Sequence, residues 1–212
     1  MNPDGDKSVD RRRFFRLGLS QILRPLAAAA QPLQRTARQL ANLDRPAHPA
    51  PGRIPLNVWL RPPGALPEEK FRQTCTRGGD CVRVCPAQAI QIDPGGKKGD
   101  GLPYIDADAD ACVVCQGLQC MNVCPSGALV PTSLNDIDMG TAVWWQDSCL
   151  RRTGESCTIC VDHCPLGSAA IELKNGRVAV NPHGCIGCGV CQHDCPTIPR
   201  SITVIPVAAK TA

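Results

Sequence analysis

The sequence predicts a small α+β fold built as two fused units, and three observations indicate it. Four cysteine-rich segments follow one another along the chain, and each ends in Cys-Pro. A stretch of small and apolar residues follows each Cys-Pro, as expected of one helical turn leading into a short strand. Aromatic residues make up only 3% of the 212 residues, against 15 cysteines. Cysteine chemistry rather than ring packing must therefore hold the fold together.

The basic excess of the chain belongs to its N-terminal region. Residues 1–61 contain 11 Lys and Arg against 4 Asp and Glu, whereas residues 62–212 contain 12 against 15. A protein that binds nucleic acid would carry its basic residues on the folded part. The distribution therefore argues against a nucleic-acid partner.

Residues 1–30 are interpreted as an export signal. The segment from Asp10 to Arg16 contains the pair Arg11-Arg12, then one further residue, two apolar residues and a base. An apolar stretch follows and closes on alanines at 28–30 that suit a cleavage site. This order is typical of twin-arginine signals. The alternative is a basic amphipathic helix that stays on the mature protein.

Residues 31–66 are predicted to form an extended tether. Nine of the twenty prolines lie between residues 25 and 67, and proline at this density blocks helix and sheet hydrogen bonding. The folded body is therefore expected to begin near Pro67 and to occupy residues 67–212.

The spacing of the cysteines points to iron–sulfur clusters. The fourth segment fits, without any gap, the run C-x2-C-x2-C-x3-C-P of bacterial ferredoxins, in which the fourth cysteine binds a neighbouring cluster. Proline after that cysteine is expected at the first position of a short helix. The cysteines of the four segments are Cys75, Cys81 and Cys85; Cys112, Cys115, Cys120 and Cys124; Cys149, Cys157, Cys160 and Cys164; and Cys185, Cys188, Cys191 and Cys195.

Two other uses of this cysteine pattern fit it less well. Structural zinc needs neither the repeated triplet nor the Cys-Pro ending. Disulfides are common in exported proteins, but they do not explain why the spacings repeat. The body is therefore predicted to be ferredoxin-like α+β, with two fused two-cluster units and a hairpin turn at Asn175-Gly176.

One expected ligand is missing from the first segment. Gly78 stands where that segment should place its second thiolate, and four fully ligated cubanes need 4 × 4 = 16 cysteines against the 15 present. We expect the unsupported iron to be lost, which leaves a [3Fe-4S] cluster. The alternatives are an empty site and a [4Fe-4S] cluster whose fourth iron is bound by water or by a nearby group such as Asp80.

Several other residues are interpreted as structural. His163 and His193 are expected to be surface hydrogen-bonding groups rather than ligands. Trp144 and Trp145 are expected to pack over a core with few rings, although an electron path or a partner contact is the alternative. A further interpretation, an exposed loop or strand edge rather than a calcium site, applies to Asp106, Asp108 and Asp110.

Together these features resemble one known family. The export signal, the tether segment from Trp59 to Ala65 and the lengthened third motif beginning at Cys149 are similar to those of periplasmic ferredoxin-type proteins of the NapG/MauM family. Those proteins accompany periplasmic nitrate reductase and methylamine-utilisation systems. The resemblance implies a periplasmic electron carrier with no substrate of its own, peripherally attached to the membrane or free. Its partners would be a membrane-bound quinol dehydrogenase-type ferredoxin protein and a periplasmic reductase or dehydrogenase.

The resemblance also implies how the cysteines are shared. In multi-cluster relatives the first and fourth motifs share a cluster pair, as do the second and third, which makes 105–165 an inner unit and 67–104 with 166–212 an outer one. The implied ligand sets are Cys112, Cys115, Cys120 and Cys164; Cys149, Cys157, Cys160 and Cys124; Cys185, Cys188, Cys191 and Cys85; and Cys75, Cys81 and Cys195. The first three sets would hold [4Fe-4S] clusters. The alternative function is a maturation or redox factor that uses the open iron of the last set.

Overall fold

A computed structural model describes residues 59–93 and 101–210. The predicted export signal and residues 31–58 of the predicted tether lie outside the described residues. Across the two described ranges, no helix is long and apolar enough to cross a bilayer, and the longest has seven residues.

Short helices and strands alternate along the described chain. The α-helices are α1 (Glu68–Thr74), α2 (Asp80–Arg83), α3 (Gln119–Asn122), α4 (Ile159–Asp162), α5 (Val190–His193) and α6 (Val207–Lys210). The strands are β1 (Ile90–Ile92), β2 (Pro103–Ile105), β3 (Gly140–Trp144), β4 (Ile171–Lys174), β5 (Arg177–Val180) and β6 (Ile202–Pro206). Four 3-10 helices complete the set, at Leu134–Asp136, Gln146–Ser148, Leu150–Thr153 and Gly167–Ala169.

The first half of the body contains the first and second motifs, and the second half contains the third and fourth. The two ends of the first half pair with each other. Leu60 bridges Ile105 at the end of the β1–β2 hairpin, and Ala65 bridges Leu129 after the second motif. The bridge at Ala65 is reinforced by a backbone hydrogen bond of 2.8 Å from the Val130 N–H to the carbonyl oxygen of Gly64. The segment before the first motif therefore pairs with the segment after the second.

The second half has the same order of elements. Strand β3, before the third motif, pairs antiparallel with β6, after the fourth, with Gly140 opposite Pro206 and Trp144 opposite Ile202. The hairpin β4–β5 lies between the two motifs, as β1–β2 does in the first half. The predicted Asn175-Gly176 turn is confirmed, with positive φ angles of 50° and 77° at its two residues that suit a two-residue hairpin loop.

We number the cysteine positions of each motif one to four and count Gly78 as the second position of the first motif. A one-turn helix in each motif carries the third cysteine. In α2, α3, α4 and α5 that cysteine is the second residue, and each helix ends two residues before the fourth cysteine of its motif. The expectation that a helix begins at the fourth cysteine is therefore wrong. The Cys-Pro pairs enter tight turns instead, for example with the Gln88 N–H bonded to the carbonyl oxygen of Cys85 at 3.0 Å.

The folded body begins earlier than the proline content indicated. Leu60, Arg61, Pro62 and Pro63 are all buried, so the end of the predicted tether is part of the core. Proline density showed only that this segment forms no regular helix or strand. It carried no information about burial, because an extended segment can also pack against a sheet edge.

Arg61 fixes this segment to α1. Its guanidinium donates two hydrogen bonds to the Glu68 carboxylate, at 2.9 and 2.7 Å, and a third to the carbonyl oxygen of Pro103 at 2.9 Å. It also lies over the ring of Phe71, 5.2 Å from the centroid. Phe71 is fully buried, and the cation is therefore held by charge, hydrogen bonds and ring contact together.

The two halves meet through backbone and polar contacts. Asp108 of the first half accepts a hydrogen bond from Gln192 at 3.1 Å and lies 3.6 Å from the guanidinium of Arg200. Gly189 has a φ of +89°, and a Cβ at this position would come within 2.7 Å of the Cβ of Ala107. Glycine is therefore required where the fourth motif approaches the first half.

Candidate iron–sulfur sites

Four hollows of similar size are lined by the cysteines. We call them sites A to D. Site A is lined by Cys75, Cys81 and Cys124; site B by Cys85, Cys112, Cys115 and Cys120; site C by Cys164, Cys185, Cys188 and Cys191; and site D by Cys149, Cys157, Cys160 and Cys195. All fifteen cysteines thus lie at one of the four sites, and all are free thiols.

The fourth cysteines are exchanged within each half. Cys85 of the first motif lies at site B and Cys124 of the second at site A. Cys164 of the third lies at site C and Cys195 of the fourth at site D. The expected pairing of the first motif with the fourth, and of the second with the third, is therefore corrected, and so is the division into inner and outer units.

The physical reason for this pairing is the hairpin between the motifs of each half. Because β1 and β2 are antiparallel neighbours, the chain returns to the first motif as soon as it has left it. Strands β4 and β5 return the chain in the same way. Consecutive motifs therefore face each other, and each lends its fourth cysteine to its neighbour, as in two-cluster ferredoxins.

The loop before Gly78 has the same backbone conformation as the loops before two of the cysteines. Arg77 and Val114 both adopt the left-handed conformation, with φ of 60° and 51°, and Gly187 does so at 74°. The next residue is Gly78 in the first motif, but it is Cys115 in the second and Cys188 in the fourth. The first motif therefore keeps the cluster-binding turn and lacks only the thiol.

Asp80 lies beside the missing thiol. A Cβ built on Gly78 would come 3.0 Å from one carboxylate oxygen of Asp80. The other oxygen accepts a short hydrogen bond from Arg83, whose guanidinium also donates to the carbonyl oxygen of Gly78 at 3.0 Å. Arg83 therefore holds the carboxylate at the edge of site A, although the sequence places Asp80 two residues beyond the expected ligand.

Several cysteine sulfurs accept hydrogen bonds from backbone N–H groups. Donors outside the motifs include Leu129 to Cys124, Ala142 to Cys185 and Ser201 to Cys195, each at 3.4 Å. Such bonds stabilise a thiolate and tune the potential of any cluster it holds. Sequence reasoning missed these donors because they lie on strands and turns outside the cysteine motifs.

Hydrogen bonds lower the pKa of the Cys124 thiol. Burial acts to raise its pKa, but the Ser126 hydroxyl and the backbone N–H groups of Leu129, Ser126 and Ala128 outweigh burial, so that the pKa lies below its usual value. Cys124 is therefore prepared to bind as a thiolate, even though its site lacks one cysteine.

Most of the other affected thiols have raised pKa values. Burial, with the charge of Cys112 and Cys115 nearby, raises the pKa of Cys120 from 9.0 to about 12. Burial also raises the pKa of Cys188 to about 12, although its backbone hydrogen bond opposes the shift. Thiolates packed together away from water need positive charge among them. Iron bound within the hollow would supply that charge, so the donor set suits an iron–sulfur cluster.

The arrangement of the thiols suits a cluster. The thiols of each site surround a hollow, and in an iron–sulfur cluster each iron takes one cysteine sulfur. Sites B, C and D each provide four thiols, and site A provides three.

The remaining predicted residues take structural positions. His163 and His193 each place Nδ1 2.7 Å from the carboxylate of Asp194, on the surface of the second half. Asp106 accepts a hydrogen bond of 3.0 Å from the Asp108 N–H in the turn after β2. None of these residues is among those that line sites A to D.

The four sites follow one another through the body. Sites A and B exchange cysteines within the first half, and sites C and D do so within the second. Sites B and C meet where the Cys112 N–H donates a hydrogen bond of 3.0 Å to the carbonyl oxygen of Cys188. The contacts therefore connect the sites in the order A, B, C, D, with the three-cysteine site at one end of the series.

Comparison with known proteins agrees with this arrangement. Two family models, each described as a 4Fe-4S dicluster domain, match residues 74–128 and residues 146–196. Each match covers two consecutive motifs. This division is the one that the cysteine exchange within each half produces.

Relatives that match most of the chain are also found. The methylamine utilization ferredoxin-type protein MauM of Methylophilus methylotrophus is 37% identical over 93% of this chain and 87% of its own length. MauM of Paracoccus denitrificans is 36% identical over 79% of this chain and 78% of its own. The ferredoxin-type protein NapG of Escherichia coli is 36% identical over 71% of this chain and 72% of its own.

The fold and its cysteine-lined sites thus define an iron–sulfur electron-transfer protein of the ferredoxin type, with two 4Fe-4S dicluster domains. Within that class, the chain belongs to the family of MauM and NapG ferredoxin-type proteins. The resemblance expected from the sequence is confirmed.

Proposed function

We propose that this protein relays electrons in the periplasm, between a quinol-oxidising partner in the membrane and a periplasmic redox enzyme. The observation that carries the proposal is that sites A to D adjoin one another in series. Clusters placed in such a series would provide a path for electrons through the body. As a carrier, the protein needs no substrate of its own.

The ligands proposed for the clusters are the cysteines of each hollow. Sites B, C and D would each hold a [4Fe-4S] cluster with four cysteine ligands. Site A, with Cys75, Cys81 and Cys124, would hold a [3Fe-4S] cluster, because Gly78 provides no fourth thiol. A [4Fe-4S] cluster that uses the Asp80 carboxylate is the other form that site A could take.

The names of relatives support a choice of partners. The relatives called methylamine utilization proteins favour an amine-dehydrogenase system as the periplasmic partner. The relatives called NapG favour a nitrate reductase. A second function, as a maturation or redox factor for such an enzyme, is favoured by the missing thiol of site A, which would leave an iron open to a ligand.

Deletion of the gene tests the proposed function. The deletion strain should lose growth on methylamine or respiration with nitrate, and the lost ability identifies the partner system. Complementation with Cys188→Ser, which alters site C within the series, should not restore growth. A relay is contradicted if that variant restores full growth, whereas a maturation factor acting through site A alone would tolerate it.

The proposed location has a separate test. Replacing Arg11 and Arg12 by Lys should retain the protein in the cytoplasm, because the twin-arginine route carries folded proteins with their cofactors and reads the arginine pair. Fractionation of cells, with immunoblotting of each fraction, measures the distribution. Accumulation in the periplasm at the normal level would contradict twin-arginine export.

A further inference from the structure

Two adjacent tryptophans differ in what their indole N–H groups bind. The Trp145 N–H donates a hydrogen bond of 2.9 Å to the hydroxyl of Thr203 on β6. The Nε1 atom of Trp144 is buried, and no atom of the described chain accepts its hydrogen. Successive residues of an extended chain point to opposite faces, which explains why only one of the two reaches Thr203.

An unpaired N–H in the interior is costly. A buried donor without a partner loses its hydrogen bond to water and gains none in return, and such groups are rare enough in native proteins that each one needs an explanation. Trp144 cannot turn away readily, because it is on β3 opposite Ile202, a residue only 1% exposed. The acceptor is therefore expected to be a group other than the described residues of the chain.

Trp144 lines site D. The hollow is otherwise formed by its four cysteines and by apolar side chains, among them Leu150, Ile159 and Ile202. Its two hydroxyl groups, on Thr197 and Ser201, lie 2.7 Å apart and bond to each other. A buried water needs two to four polar partners, and this lining offers few. A sulfur of a cluster bound by the four cysteines is the acceptor that the chemistry of the hollow favours.

We propose that the indole N–H of Trp144 donates a hydrogen bond to a sulfur of the cluster at site D and thereby raises its reduction potential. The inference rests on the proposed presence of that cluster. A hydrogen bond to sulfur stabilises the reduced state more than the oxidised state, because reduction adds negative charge to the cluster. None of the described residues that line sites A, B and C is a tryptophan, so this donor distinguishes site D from the others.

A tryptophan donor at site D alone would affect electron transfer along the series of sites. Site D is one end of the series, and a raised potential there would make it the preferred resting place of an electron that enters elsewhere. Trp144 would thus act as a tuning residue for site D. The interpretation from the sequence, packing over a core with few rings, explains the ring of Trp144 but not its N–H.

Redox titration of the full-length holoprotein, followed by electron paramagnetic resonance, tests the proposal. Trp144→Phe keeps an aromatic ring and removes the N–H. At a fixed potential the ratio of oxidised to reduced cluster at site D should rise roughly tenfold, equivalent to a fall of about 59 mV in midpoint for one electron. The signal of site D is identified as the one altered in Cys157→Ser.

Trp145→Phe is the matched control. It removes the neighbouring N–H, which already has a partner in Thr203, and should leave all midpoints unchanged. The proposal is overturned if Trp144→Phe shifts no midpoint, or if both variants shift site D equally. If Trp144→Phe lowers the iron content, 3-benzothienylalanine at position 144 replaces the N–H by sulfur at nearly constant shape, and the same fall in midpoint is expected.

The iron content separates this inference from the proposed function. A wild-type protein about four irons short, with no signal altered by Cys157→Ser, would show that site D holds no cluster and would overturn both. A full complement of clusters with an unchanged midpoint in Trp144→Phe would overturn the hydrogen bond alone.

Discussion

The backbone N–H of Cys112 donates a hydrogen bond of 3.0 Å to the carbonyl oxygen of Cys188, so a cysteine of site B is joined directly to a cysteine of site C. This bond crosses from one dicluster half to the other. The two inner sites therefore adjoin at this bond, and an electron must pass between them if the sites act in series.

Exchange of the fourth cysteine can be tested one residue at a time. Cys195→Ser should disturb the cluster of site D and leave the signal of site A unchanged, because Cys195 lines site D. Cys124→Ser should disturb site A instead. Iron analysis and electron paramagnetic resonance of both variants check the assignment. Loss of the site A signal in Cys195→Ser would contradict it and would support the pairing of the first motif with the fourth.

Gly78→Cys should complete site A. The iron content should rise from about 15 to about 16 per chain, and the oxidised-state paramagnetic signal of a three-iron cluster should disappear. The substitution is expected to fit, because a Cβ at this position meets only the tip of the Asp80 side chain at 3.0 Å and the Thr76 hydroxyl at 4.0 Å.

Asp80→Asn is the companion variant for site A. With a three-iron cluster in the wild type, this change should leave the oxidised signal as it was. A wild type with about 16 irons and no oxidised signal would mean that Asp80 holds the fourth iron. A wild type with about 12 irons would mean that site A is empty.

Removal of the clusters should cost the protein most of its structure. Phe71 is the one aromatic residue among the largest fully buried side chains of the described chain, and cysteines line four hollows in the same body. Metal binding in small domains of this kind supplies much of the folding free energy. Circular dichroism and hydrogen exchange on chelated, reduced protein measure the loss. A cooperative and protected apo-protein would contradict this expectation.

Glu68→Gln should destabilise the N-terminal edge of the fold by about 1–3 kcal/mol at neutral pH, because it leaves the buried Arg61 guanidinium without its counterion. Burial acts to raise the pKa of Glu68, but hydrogen bonds and charge from Arg61 and Arg72 prevail and lower it below 4.5. The pair therefore stabilises the fold above pH 4.5, and this contribution is lost as the pH falls through the lower pKa of the folded state.

Thermal unfolding of wild type and Glu68→Gln should accordingly differ by a constant amount between pH 6 and 8. Glu69→Gln is the matched control, since Glu69 is exposed and accepts a hydrogen bond only from Gln73, at 2.7 Å. An equal loss of stability in the two variants would show that the buried pair contributes nothing particular.

Local features of the fold could be predicted from the sequence, and long-range ones could not. The cysteine triplets, the gap at Gly78 and the turn at Asn175-Gly176 each depend on neighbouring residues, and the structure has them as expected. The pairing of β3 with β6 joins residues about sixty positions apart, and no periodicity indicates such a partner. The destination of each fourth cysteine depends on the hairpins in the same way.

The site contacts that could not be predicted from the sequence also join residues that are far apart in the chain. The N–H groups that reach Cys185 and Cys195 come from Ala142 and Ser201, which have no chemical signature of their own. The N–H of Trp144 could be recognised only after its neighbours were known. Proline content, in turn, predicted an extended segment around Pro62 correctly but could not show that it is buried.

The position of Gly78 limits what its missing thiol can change. Site A stands at one terminus of the series, so sites B, C and D keep their full sets of cysteines without interruption. A missing thiol at site B or C would instead have interrupted the series between its two ends. The glycine therefore makes the two termini chemically unequal while leaving three neighbouring sites intact, and the molecule acquires a polarity that its duplicated architecture alone would not provide.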